Sequence, residues 1–191
     1  MLTTLTPGAL YVKAMTATSR VLDAVGANQW DDPTPCSEWN VTQIANHIIG
    51  ENLWAGELYQ GKTIADVGTS LDGDLTSGDP AAAYRRSATV ASDAVTAPGA
   101  MEATCHLSFG DYSGSDYAAQ LFMDALIHGW DIAKATGQST RLDADLVGAC
   151  LPVAELLTGQ FRSAGVFGED LPVSADADPQ TKLLALLGRR A

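Results

Sequence analysis

The sequence predicts an all-α protein, a bundle built on four substantial helices with a short extended or hairpin segment and helical additions toward its C-terminus. Three observations carry that expectation. Apolar residues recur at helical spacing through several long segments. Pro, Asn, Asp, Ser and Gly stand where such segments should start and stop. No strong series of strands marks out a βαβ fold.

The first helix is expected over about residues 7 to 25, with Pro7 in its first turn, Gly26 at its end, and Leu10, Met15, Val21, Leu22 and Val25 as apolar positions. A polar connection with two prolines, residues 28 to 39, leads to Asn40, which is placed to cap the next helix with Gln43 as its reciprocal partner. That second helix should run from about Val41 to Tyr59, with Ile44, Ile48, Ala55 and Leu58 on its apolar stripe. Residues 60 to 78, rich in Gly, Asp, Ser and Thr, read as a long loop. Asp79-Pro80 opens a third helix that reaches about Val95 and stops near Pro98-Gly99. Residues 101 to 112 suit a short extended segment or hairpin. Ser113 or Ser115 then caps a helix continuing to about Thr136, before Gly137. A further helix over 143 to 161 contains Pro152, which is expected to bend it, and a short one spans Pro179 to Leu187.

A chain of 191 residues can bury a substantial core and is expected to form one domain over 1–191, with 162–191 as a C-terminal extension packed on the bundle. The formal charge of -12, from 23 acidic against 11 basic residues, argues against nucleic acid or anionic membrane as a partner, since both need a concentrated basic footprint. No segment has the length and apolarity of a membrane span, and the N-terminus does not read as a secretory signal. Three cysteines, Cys36, Cys105 and Cys150, show no close Cys-x-x-Cys spacing. Reduced thiols in a cytoplasmic protein are the simplest account.

The chemistry-bearing residues lie on two of these helices. Asp124 and His128, four apart, project from one face of an otherwise largely apolar segment. Polar groups in such a stripe need partners, and a divalent metal ion completed by His47 satisfies both. Two imidazoles and one carboxylate make a familiar zinc site with an open position for water or substrate; the same set binds Fe(II), Mn, Ni or Co. Taken singly, each of the three has a plain structural reading, and only their convergence makes a site.

Glu51, one turn after His47, is expected either to orient a ligand or to accept a proton as a base, the alternative being a surface acid. Asp131 is placed to orient the His128 ring or to pair with Lys134 at the surface. Trp54 and Trp130 can line a pocket entrance, although large aromatics are more often core. Cys36 lies shortly before a helix start, where amide groups stabilise thiolates. A small buried thiol is the simpler reading, and Cys150 reads as core. If its segment is extended, Cys105 and its neighbour His106 point to opposite sides and form no dyad. Dinucleotide, phosphate-loop, Gly-x-Ser-x-Gly and His-Glu-x-x-His signatures are all missing from the sequence.

Three segments, Thr34 to His47, Asp124 to Gly137, and Phe167-Gly-Glu-Asp-Leu-Pro-Val through Arg189, resemble the DinB-like superfamily. More narrowly, the chain is similar to an uncharacterised actinobacterial family related to the N-terminal domain of mycothiol-dependent maleylpyruvate isomerase. The resemblance covers nearly the whole chain and implies a four-helix bundle whose metal is held by His47, Asp124 and His128. The isomerase pattern has a glutamate where this chain has Asp124, whose shorter reach bears on geometry and metal preference. It further implies an enzyme in which a divalent metal, zinc first among them, activates a low-molecular-weight thiol such as mycothiol for attack on a small electrophile. Maleylpyruvate isomerisation itself is not expected, because that enzyme uses an additional C-terminal domain with no evident equivalent here. A thiol transferase or isomerase-like enzyme is therefore the preferred expectation. A metal-dependent hydrolase using activated water, with Glu51 as base, and a noncatalytic metal or small-ligand binding protein are the alternatives. An apolar bundle face is compatible with a homodimer or with an internal core, and both stay open here.

Overall fold

The computed structural model describes residues 5–161 and 170–191. Its helices begin where the chain supplies local partners for open backbone amides. Thr6 accepts a hydrogen bond from the Ala9 amide and starts α1 (Pro7–Asp23), with Pro7 in the first turn. Asn40 and Gln43 form the expected capping box ahead of α2 (Val41–Leu58), each side chain accepting from the other's amide at 2.9 Å. The stretch 60–78, expected as loop throughout, contains one helical turn, α3 (Ile64–Val67), because Thr63 and Asp66 form a second capping box. Asp79 caps α4 (Pro80–Thr96).

After a 3-10 turn at Ala100–Glu102, the uncertain segment proves to be a hairpin. β1 (Thr104–Leu107) pairs antiparallel with β2 (Gly110–Ser113), and Cys105 stands opposite Tyr112. Ser113, rather than Ser115, caps the long helix α5 (Gly114–Ala135). Beyond it lie α6 (Ala144–Phe161), which runs through Pro152, and α7 (Pro179–Leu186).

The chain divides into two compact units, Leu5–Gln138 and a second that holds Ser139–Ala191. Within the second, α6 packs on α7, and Gln180 ties the segment before α6 by accepting from the Leu142 amide and donating to the Thr140 carbonyl. The start expected for the C-terminal extension, residue 162, lies outside the described residues.

The first unit is the bundle. α1 packs along α5 and α4, while α2 packs along α4 and α5, so four helices enclose one core. Leu22, Ile44, Ile48, Ile49, Tyr84 and Ile132 belong to its central cluster. A buried polar chain crosses it: the Tyr11 hydroxyl donates to Asn52 Oδ1, and Asn52 Nδ2 donates to Ser87 Oγ at 3.0 Å. Each member is satisfied by another helix, which lets polar groups sit in the core and pins α1, α2 and α4 in register. α1 and α5 meet at Gly129, where a Cβ would stand 2.3 Å from Thr18 Oγ1. That hydroxyl donates to the Ala125 carbonyl at 2.9 Å. Among the described residues no helix is long and apolar enough to cross a membrane.

Candidate metal centre

His47 sits at the edge of the buried stripe of α2, between Ile44 and Ile48, and faces α5 across the interface of the two helices. Asp124 and His128, one turn apart on α5, come from the opposite side. His47 Nε2 lies 3.3 and 3.2 Å from the two Asp124 oxygens, and His128 Nε2 lies 3.4 Å from Asp124 Oδ1. One donor atom from each of the three falls within 4.8 Å of the others.

A tetrahedral ion with bonds of about 2.0–2.2 Å needs donors roughly 3.3–3.6 Å apart. The donor set therefore fits a divalent ion in both chemistry and spacing. The side chains of His47 and Asp124 are 26% and 29% exposed and that of His128 is 9% exposed, which leaves one side of the cluster open to solvent.

The ring of His128 is oriented from behind. Asp131, fully buried one turn along α5, lies with Oδ2 3.0 Å from Nδ1. With the proton on Nδ1 donated to Asp131, the Nε2 lone pair points at the Asp124 side, which is the tautomer a ligand needs. Of the two readings of Asp131, the orienting one is found. Lys134 instead stands over the Trp130 ring, 5.7 Å from its centroid.

The charges of the cluster shape its titration. Burial works to lower the pKa of His47, but the charge and hydrogen bond of Asp124 and the charge of Glu51 outweigh it, and the net shift is upward. Burial, then the negative charge of Asp124, pushes the Glu51 carboxyl up to about 7, against the pull of both histidines. Glu51 is thus half-buried and feels the charges of Asp124, His47 and His128, unlike a free surface acid.

The sign of the resulting pH dependence follows. A folded-state pKa above the unfolded value means that the folded chain binds more protons, so stability falls as pH rises through that window. Glu51 acts between its ordinary value of 4.5 and about 7, and His47 acts above 6.5 in the same direction. Metal-free protein is therefore expected to lose urea resistance as pH rises from about 4.5 through about 7, with His47 extending the loss in the same direction. Glu51→Gln should flatten the lower part of that decline. An unchanged slope would refute the assignment.

Sequence reasoning missed the aromatic wall. Trp130 is 1% exposed and belongs to the core, so it does not line an entrance. Trp39 does: its ring lies 4.7 Å from that of His47 and 5.7 Å from that of His128. A cavity of about 440 Å³ opens beside His47, lined by Trp39, Thr42, Gln43, Asn46, Gly73 and Asp74. Asn46 holds its rim by donating to the Gly73 carbonyl and accepting from the Leu75 amide. Trp39 escaped notice because it precedes the helix cap, where helical periodicity gives no register.

The third histidine stands apart. His106 pairs with Asp111 across the hairpin at 2.8 Å while Cys105 is buried, so the two neighbours form no dyad. Cys150 is buried, as expected. Cys36 is only half-buried, which corrects the reading of a buried thiol, and its Sγ clusters with His128 and Asp131.

The family model for the mycothiol maleylpyruvate isomerase N-terminal domain matches residues 11–133, which include all three of His47, Asp124 and His128. The chain belongs to this family. Two relatives, the uncharacterized proteins Rv0738 and MT0763 of Mycobacterium tuberculosis strains H37Rv and CDC 1551, are each 34% identical over 181 residues. The alignment covers 94% of this chain and 95% of each relative. No solved structure gives a significant match. The helical bundle with its short hairpin and C-terminal helices agrees with the DinB-like architecture of the family, and the clusters that α5 forms with His47 of α2 and with Cys36 support a metal-binding role.

Proposed function

We propose that His47, Asp124 and His128 hold a divalent metal ion, zinc first among several that suit the set, in an enzyme that activates a low-molecular-weight thiol such as mycothiol. The thiol would be transferred to a small electrophile, or would assist its isomerisation. The observation that carries this reading is the convergence of two imidazole nitrogens and a carboxylate within 4.8 Å, beside an open cavity of small-molecule size. The name of the family's domain supports a mycothiol-like partner.

When bound, the ion supplies Lewis-acid stabilisation of a thiolate at neutral pH. The rest falls to the chain. Asp131 holds the His128 ring so that Nε2 faces the site. Glu51, with its carboxyl at about 7, is poised to take the proton that a bound thiol gives up. Trp39 packs at a tilt against the rings of both histidines and would give a bound substrate an apolar wall.

The test is turnover by zinc-loaded protein on a panel of small electrophiles, with and without mycothiol or a simple analogue. Thiol consumption that fails in His128→Ala is the expected result, and Glu51→Gln should lower kcat by about 10²–10⁴-fold with metal retained. No binding or consumption of thiol across the panel would overturn the reading. Thiol-independent turnover that needs Glu51 would point to hydrolysis, and binding without turnover to a ligand carrier.

A further inference from the structure

We infer a second metal site, built from Cys36, His128 and Asp131, that takes a thiophilic divalent ion such as zinc or cadmium on the Nδ1 edge of the His128 ring. The Cys36 sulfur, a His128 ring nitrogen and an Asp131 carboxylate oxygen lie within 4.8 Å of one another. The two edges of the imidazole face different groups: Nε2 is 3.4 Å from Asp124, and Nδ1 is 3.0 Å from Asp131. The two donor sets therefore share one ring and nothing else.

Sulfur, nitrogen and oxygen donors together select an ion with thiolate affinity. Bonds of about 2.3 Å to sulfur and 2.0–2.2 Å to nitrogen and oxygen require the three donors, now within 4.8 Å of one another, to close on the ion. Binding releases one proton, from the Cys36 thiol, and moves the His128 ring proton from Nδ1 to Nε2, so the ring serves one donor set at a time and the thiolate and the Asp131 carboxylate together match the charge of the dication. Asp131 is fully buried, and a cation beside a carboxylate at that depth offsets its desolvation.

The loop carrying Cys36 is already organised. The Cys36 amide donates to Thr34 Oγ1 at 3.1 Å, and the Trp39 amide donates to the Cys36 carbonyl at 2.9 Å. Further along, the Val41 and Thr42 amides donate to the Asp32 and Trp30 carbonyls, which ties the loop to the start of α2. Cys36 itself is half-buried. A donor held by its own loop needs little ordering on binding.

The site needs neither His47 nor Asp124, so it is testable where the first set has been dismantled. In the His47→Ala, Asp124→Ala double variant, cadmium titration is expected to give one equivalent with an ultraviolet thiolate-to-cadmium charge-transfer band. Adding Cys36→Ser should abolish the band, and adding Asp131→Asn should weaken binding by about 10–100-fold. No band in the folded double variant, or a band that survives Cys36→Ser, overturns the site. Should the double variant not fold, wild type against Cys36→Ser decides by the same band: its loss supports the site, and its absence or persistence refutes it. Failure of the first donor set leaves these outcomes untouched.

Discussion

His47→Ala and Asp124→Ala protein, purified away from any resin-borne metal, is expected to carry less than about a tenth of the metal bound by wild type. Changes at groups that merely support a ligand cost about 10–100-fold in affinity, and loss of one of three direct donors should cost at least that. Both side chains are more than a quarter exposed, and His47 lines the cavity, so their truncation removes little packing. The variants should therefore stay folded, which separates a lost ligand from a lost fold. Elemental analysis by ICP-MS beside circular dichroism reads both. Asp124→Glu should recover part of the affinity, because it keeps the carboxylate and changes only its reach. A folded wild type that arrives metal-free and refuses zinc, nickel, manganese and anaerobic iron(II) would end the proposal, and the three residues would revert to a hydrogen-bonded structural cluster.

Gly129→Ala is expected to destabilise the bundle by a net of up to about 2 kcal/mol, lowering Tm by up to about 8 °C. The added Cβ would stand 2.3 Å from Thr18 Oγ1 and 3.2 Å from Thr18 Cβ, closer than atoms can pack. Relief requires either that Thr18 turn away and release its hydrogen bond to Ala125, or that α1 and α5 separate. Overpacking typically costs about 1–3 kcal/mol, against which alanine recovers about 1 kcal/mol of helix propensity. The net sign is thus set by the contact. Thr18→Ala in the same chain should recover much of the loss, and a double-mutant cycle would measure the coupling. Because His128 is the preceding residue, a shift of α5 at Gly129 would also weaken metal binding. A Tm unchanged within error would show that Thr18 yields freely.

The helix starts were legible because caps are local. Asn40 with Gln43, Asp79 before Pro80, and Ser113 each satisfy amides within three residues, so the information lies in nearby letters. The turn α3 was local too, but its Thr63-Asp66 box sits in a segment whose polar, glycine-rich composition reads as loop. Asp124 and His128 were readable as a pair for the same reason, since a spacing of four on a helix fixes a shared face.

What the sequence determined by itself was therefore the set of helices other than α3, most of their starts, and the donor types on α2 and α5. The tertiary structure decided which donors meet. His47 reaches Asp124 only because α2 packs on α5, a contact spanning 77 residues of chain. Trp39 and Cys36 join the site from a loop whose path is set by hydrogen bonds to Trp30, Asp32 and Thr34, not by any helical period. Asp131 had two readings one turn from His128, and burial chose between them: at zero exposure its carboxylate lies against the ring, not in solvent. Local spacing decides what a helix can present, whereas the close approach of helices distant in sequence decides what it touches.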